Sequence, residues 1–182
     1  MDLTKFPRQL TTTDLQLRAP VLGDSGSMHA LLSDPETVKY WVNTPINDKQ
    51  ISTDKLSEYL DSDAKGESIS WAVCLKNQSE MIGKCVLFHY DKDNRRAEIG
   101  YILNRQYWRR GLMRQALEAV IQFGFTSLNL HRIEADVDPG NAGSLALLES
   151  VGFKREGYFP ERWLIGGEWK DSVMLGLLKA TT

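Results

Sequence analysis

Between Ile69 and Leu103 the chain carries three apolar, strand-like runs with very little between them. Ile69-Ser-Trp-Ala-Val-Cys-Leu75 is separated from Met81–His89 by the turn Asn77-Gln-Ser-Glu80. Asp91-Lys-Asp-Asn94 then leads to Ala97-Glu-Ile-Gly-Tyr-Ile-Leu103. Such short connections leave no length for a crossover, so neighbouring runs pair antiparallel as a meander. The segments that follow impose a different order. A helical pattern through Val120 leads to the strand Arg132-Ile-Glu-Ala-Asp-Val137. Asp138-Pro-Gly-Asn141 opens a second helix with Leu145, Leu147 and Leu148, ended by Gly152. The tail alternates through Gly157–Phe159, Trp163–Ile165 and Ser172–Leu178, with Gly166-Gly167 as a hairpin turn. An antiparallel stretch followed by β-α-β-α-β predicts a mixed α/β fold.

The N-terminal third fits that class. Asp14-Leu-Gln-Leu-Arg18 alternates as a strand ended by Pro20, and Asp24 is placed to cap a helix through Met28, Leu31 and Leu32 to about Ser33. Asp34-Pro35 opens a short helical piece ending near Tyr40-Trp41, and Asn43-Thr-Pro-Ile-Asn47 is a loop. Asp48 or Ser52 starts a helix with Ile51, Lys55, Leu56, Tyr59 and Leu60, and Ser62 to Ser68 reads as a polar connector. At 182 residues, without a repeat or a linker-like tract, one domain spanning 1–182 is expected.

The totals exclude some classes of function. A net charge of -2 provides no basic footprint for direct nucleic-acid binding. No apolar run approaches the roughly 20 residues of a membrane span. MDLTKFPRQL lacks the apolar centre of a signal peptide, so the cytoplasm is the expected location. Cys74 and Cys85 lie in apolar runs, as buried thiols of a reducing compartment do, and the three histidines form no ligand spacing; no metal is expected. Monomer and homodimer both remain open.

The chemistry concentrates in Gln106-Tyr-Trp-Arg-Arg-Gly-Leu-Met-Arg-Gln-Ala-Leu-Glu-Ala-Val120. This stretch opens a helix, yet it sets Arg109, Arg110 and Arg114 at the end whose partial charge is already positive. The first carboxylate is Glu118. A strand, an Arg/Gly loop and a helix with no acidic first turn make an anion receptor, with Gly111 allowing close backbone approach. The other reading is a solvated loop before a poorly capped helix. Neither G-x-x-x-x-G-K-[ST] nor G-x-G-x-x-G occurs, which argues against nucleotide loops of those kinds.

Arg109-Arg-Gly-Leu-Met-Arg114 resembles the acetyl-CoA pyrophosphate loop, Q/R-x-x-G-x-G/A, of the GNAT superfamily of N-acetyltransferases. Trp108 stands in the Q/R place and Met113 in that of the second glycine, as in the branch containing the ribosomal-protein N-terminal acetyltransferases. Leu10-Thr-Thr-Thr-Asp-Leu-Gln-Leu-Arg18 with Asp24 resembles that branch's opening, with Asp14 in place of an arginine. Asp34–Trp41, Ala97–Leu103, Leu130-His-Arg-Ile-Glu134, Asn141-Ala-Gly-Ser144, Gly152-Phe153, Glu156-Gly157 and Trp169-Lys-Asp171 also resemble it, in the expected order.

The resemblance implies a V-shaped, largely antiparallel sheet flanked by helices on both sides. It implies acetyl-CoA as co-substrate, with its pantetheine arm paired to the backbone of Tyr101, Ile102 and Leu103 between strands 97–103 and 132–137. The pyrophosphate would then lie over Arg109, Arg110, Gly111, Leu112, Met113 and Arg114, answered mainly by main-chain N–H groups. Asn141 would touch the pantetheine arm, and Ser144 would hydrogen-bond the leaving sulfur, because Leu148 takes the place of the superfamily's tyrosine. Glu98 is the first candidate for general base. The competing reading makes it a strand carboxylate paired with Arg95 or Arg132. Glu161 is the second candidate, although Trp163 takes the matching register, and Asp136 the third. Tyr40, Trp41, Trp71, Tyr90, Tyr158, Trp163 and Trp169 are expected mostly in the core, with those near Trp41 and Trp163 able to line an acceptor groove.

The expected reaction is acetyl transfer to a primary amine, foremost a protein or peptide N-terminus. The alternatives are a small amine, such as a polyamine or aminoglycoside, and a non-catalytic acyl-CoA sensor. The acidic helix from Asp54 to Asp63 suits a cationic acceptor without choosing among these.

Overall fold

A computed structural model describes residues 3–41 and 44–180. In chain order the elements are β1 (Leu10–Thr11), β2 (Leu15–Arg18), α1 (Ser25–Ser33), α2 (Pro35–Val38), α3 (Lys49–Ala64), β3 (Ile69–Leu75), β4 (Met81–Asp91) and β5 (Arg96–Leu103). They continue with α4 (Leu112–Thr126), β6 (Arg132–Val137), α5 (Ala142–Ser150), β7 (Lys154–Ile165) and β8 (Glu168–Leu178). The strands form one sheet in the order β1-β2-β3-β4-β5-β6-β8-β7. The short turns of the meander make β3, β4 and β5 antiparallel neighbours, as expected. The only parallel pair among the described residues is β5 with β6, joined through α4.

That pair opens. Residues Arg96–Glu98 face Arg132–Glu134, and the pairing stops there. Beyond it β5 stays with β4 as far as Leu103, while β6 stays with β8 as far as Val137. The sheet therefore divides into two arms, and the inner edges of Ile99–Leu103 and Ala135–Val137 face a gap.

Both faces of the sheet are covered, which is why β3 is buried from Ile69 to Cys74 without the alternation of a one-sided strand. On one face α4 buries a helical stripe of Leu112, Met113, Ala116, Leu117 and Val120, and Phe123 meets Trp71 edge-on at 5.2 Å. Leu145 and Leu148 of α5 join this core. On the other face Met28, Leu31, Leu32, Val38 and Leu56 pack against Ala72, Cys74, Met81 and Ile102. Both cysteines are buried free thiols, and burial pushes Cys85 up to about 12. No helix among the described residues is long and apolar enough to cross a membrane.

Several sequence expectations need correction. Asp24 does precede α1, but its side chain does not cap that helix. It accepts two bonds from Arg18, at 2.8 and 2.6 Å, and one from the Val21 amide at 2.9 Å. Of the two proposed starts for α3, Asp48 is the cap, accepting from Gln50 N–H at 2.7 Å. Ser52 is buried inside that helix, 3.0 Å from His29 Nδ1. The Ser62–Ser68 connector begins later than expected, because α3 continues to Ala64. The helical last turn turns Asp63 inward, where Arg8, Ser68 and Ser70 satisfy it. Asn43 of the predicted loop lies outside the described residues. Trp71 is fully buried, but Tyr40, Trp41, Tyr158, Trp163 and Trp169 are exposed; the last three lie on the β7–β8 hairpin, where β7 is exposed along most of its length while Val173 and Leu175 of β8 reach the core.

Candidate active site

The gap between β5 and β6 forms the floor of a cleft with a volume of about 990 Å³. Its rim is the segment between β5 and α4. Residues Arg105–Tyr107 form a 3-10 turn, and Trp108 Nε1 donates to Leu103 O at 2.7 Å, tying the loop to the end of β5. Trp108 thus has a structural use in the place where the family pattern has Q/R. Arg109 and Gly111 adopt left-handed φ values of 59° and 72°, so the helix begins only at Leu112, later than the sequence pattern suggested. Gly111 suits this conformation, and nothing lies within 4 Å of where its Cβ would stand.

The first main-chain bond of α4 is Gln115 N–H to Gly111 O at 3.2 Å. Among the described residues, the amides of Arg110, Gly111, Leu112, Met113 and Arg114 have no acceptor, and the first turn holds no acidic side chain. Arg109, Gly111, Leu112, Met113 and Arg114 line the cleft. The Arg110 side chain turns elsewhere: its guanidinium lies 5.6 Å from the Tyr107 ring centre, beside a second depression near Asp14. Arg114 is held by Glu118 at 2.9 Å. Asp14, which replaces the family arginine, accepts from Gln115 Nε2 at 2.7 Å and fastens β2 to the base of α4.

Backbone of Tyr101, Ile102 and Leu103 forms the exposed edge of β5 at the gap, and all three residues line the cleft. Across the mouth, Asn141 Oδ1 accepts from Ser144 N–H at 3.0 Å and caps α5. Ser144 Oγ lies 2.6 Å from the Tyr101 hydroxyl. Burial pushes that phenol up to about 12, against the opposing pull of the Ser144 bond. The Tyr101 hydroxyl was missed in the sequence, which implied only a backbone role. Strand alternation puts Ile102 and Tyr101 on opposite faces, but nothing local says that α5 brings Ser144 to the same point.

The carboxylates separate clearly. Glu98 lines the cleft, and its Oε1 meets His89 Nδ1 at 3.1 Å. The expected arginine alternative does not occur: Arg132 binds Glu134 and Glu156, and no bond joins Arg95 to Glu98. His89 is the unforeseen partner, brought into reach by an irregularity in the β4–β5 register after Phe88. Asp136 also lines the cleft, but its oxygens accept from Arg162 at 2.8 Å, Trp163 Nε1 at 3.1 Å and Ser172 Oγ. Glu161 lies on the exposed hairpin arm, outside the residues lining the cleft; its N–H donates to Asp171 at 2.8 Å. Of the aromatics considered for an acceptor groove, Tyr40 and Trp41 reach the cleft, and Trp163 only borders it through Asp136. Among the described residues no cluster of His, Cys, Asp or Glu could hold a metal ion.

Comparison with known proteins agrees with this layout. The model of the acetyltransferase (GNAT) domain matches residues 14–154. The N-acetyltransferase p20 of Bacillus licheniformis is 38% identical over 170 residues, 93% of this chain and 96% of that protein. The ribosomal protein uS5-alanine N-acetyltransferase of Escherichia coli is 38% identical over 79 residues, 43% of this chain and 41% of that one. The crystal structure of the Vibrio cholerae spermidine N-acetyltransferase in complex with CoA and spermine superposes with a TM-score of 0.79 at 27% identity. It covers 92% of this chain and 96% of that one. The eight-stranded split sheet and the matched sequence together establish that the chain belongs to the GNAT family of N-acetyltransferases.

Proposed function

We propose that the protein transfers the acetyl group of acetyl-CoA directly to the α-amine of a peptide or protein N-terminus. The observation that carries the CoA part is the run of unpartnered amides from Arg110 to Arg114, at the mouth of a split sheet. A diphosphate seated there supplies the anion that the helix end lacks. The edge backbone of Tyr101–Leu103 offers the pantetheine amides a strand to pair with, and its N–H groups would steady the oxyanion formed at the thioester carbon.

Chemistry then needs few protein groups. The amine nitrogen attacks the acetyl carbon, the C–N bond forms, the C–S bond breaks, and the amine proton leaves through water to Glu98. The paired hydroxyls of Tyr101 and Ser144 lie where a departing sulfur can take a hydrogen bond. A thiol with a pKa of about 8.5 leaves with little help. An α-amine, with a pKa of about 8, is partly neutral at pH 7, whereas a lysine at about 10.4 is not, so one carboxylate suffices for an N-terminus.

Polyamine acetylation has one observation in its favour, the 27% identity to the spermidine enzyme. Against it, the deep wall of the cleft carries a buried lysine, Lys84. Calorimetry should give low-micromolar-class acetyl-CoA binding that Gly111→Glu abolishes; unchanged binding would remove the cofactor from this cleft. Thiol release should then be strongest with N-terminal peptides in a panel that also holds lysine peptides, polyamines and aminoglycosides. Release with polyamines alone would overturn the acceptor assignment, and release with none of them would leave an acyl-CoA sensor.

A further inference from the structure

One charged side chain in the cleft has no use in this chemistry. Lys84 is 2% exposed, on β4, paired across to Ile102. Strand alternation puts it on the same face as Val86, Phe88 and, across β5, Glu98, and all four line the cleft. Its Nζ sits 3.3 Å from the Tyr59 ring centre, and no carboxylate pairs with it among the described residues. Asp63 is nearby, but its charge is already met by Arg8 at 2.6 Å, and its oxygens also accept from Ser68 and Ser70. The surplus at this end of the cleft is therefore one cation. Burial lowers Lys84 to about 8, against a smaller opposing pull from Asp63.

An uncompensated buried cation is costly unless something completes it. The ring face of Tyr59 stabilises it only in part. Ser62 also lines this end of the cleft, but its hydroxyl lies 3.2 Å from Ser68 Oγ, whose single hydrogen goes to Asp63 at 2.6 Å, so Ser62 is the donor of that pair and leaves Lys84 as the group without a partner. We propose that Lys84 forms an anion subsite in the acceptor half of the cleft, and that the acceptor is an amine which also carries a carboxylate. A single cation matches a carboxylate better than a phosphate of nearly two charges. Phe88 faces Glu98, and Lys84 lies four residues back along the same strand, about 13 Å at strand spacing. After allowing for side-chain reach, the carboxylate falls about one to three residues from the reacting amine of an extended peptide.

This deepens the acceptor assignment and rests on it for the position of the amine. The test uses tripeptide amides with a free N-terminus, identical except for glutamate or glutamine at the second or third residue, together with spermidine. Both CoA release and peptide affinity for the CoA-loaded protein are measured. Wild type should favour a glutamate peptide about ten-fold or more, the worth of one charge-assisted contact. Lys84→Met should erase the preference and Lys84→Arg should keep it. The methionine variant replaces a buried charge by an apolar chain of similar length, so it should fold, which its melting temperature checks. Equal use of both peptides, a preference that survives Lys84→Met, or spermidine turned over as well as the best peptide would each overturn the subsite. If no amine releases CoA but a Lys84-dependent preference persists in binding, acetyl transfer to peptides fails while the subsite stands.

Discussion

At the scale of single residues, the hydroxyl pair Tyr101–Ser144 is the sharpest feature of the site. Burial keeps the Tyr101 phenol protonated well past neutrality, so it can give a hydrogen bond to sulfur at every working pH. Tyr101→Phe should lower kcat about ten-fold while leaving the KM for acetyl-CoA nearly unchanged, the pattern of a contact made mainly in the transition state. Steady-state kinetics would show it; a change in KM alone would make the tyrosine a binding group. No alkaline limb in kcat should trace to this group below pH 10. The sequence revealed the strand that carries Tyr101 and the cap that carries Ser144, because both signals are local. Their contact is not local, since it depends on where α5 lands. The partner of Glu98 was hidden for a similar reason: His89 reaches it only because β4 and β5 lose register after Phe88.

At the scale of elements, α4 has two tasks, covering the core and presenting its open end. Its apolar stripe was plain in the sequence, and so was the missing acidic first turn. The starting residue was not, because Arg109 and Gly111 take left-handed conformations that propensity alone does not reveal. Gln115 holds this end in place. Its Oε1 accepts from Thr12 Oγ1 at 2.9 Å and the Asp14 amide at 3.1 Å, and its Nε2 donates to Asp14. Gln115→Ala removes all three bonds and should cost about 1–3 kcal/mol in denaturant unfolding. The loss should be visible as faster hydrogen exchange in β1 and β2, with the core strands unaffected.

At the scale of the molecule, the β3–β4–β5 meander and the β7–β8 hairpin were legible because turn lengths dictate them, whereas the pairing of β6 with β8 was not, because no short connection joins them. The burial of polar groups was hidden as well. Asp24 and Asp63 look like surface residues in sequence, yet each anchors an arginine from a distant or neighbouring segment. Burial opposes the Asp24 charge, but the bonds from Arg18 and Val21 outweigh it and hold the carboxyl below its ordinary range. A depressed folded value means that the stabilisation is complete above the unfolded pKa of about 4 and is lost as pH falls through the folded value. Asp24→Asn should therefore destabilise at neutral pH by about 2 kcal/mol and lose less on further acidification than wild type. Urea titrations at pH 7 and pH 3 would measure both; parallel losses in the two proteins would remove Asp24 from the acid response.

The parting of β5 from β6 has a further consequence. It leaves two rows of main-chain donors and acceptors unmatched inside a single molecule, where ordinarily only the outer rims of a sheet are left so. A guest with its own amide groups can close this seam and join two half-sheets into one continuous lamina. Heat resistance should then climb with the logarithm of guest concentration, because the guest binds the folded chain and has nothing to grip in the unfolded one.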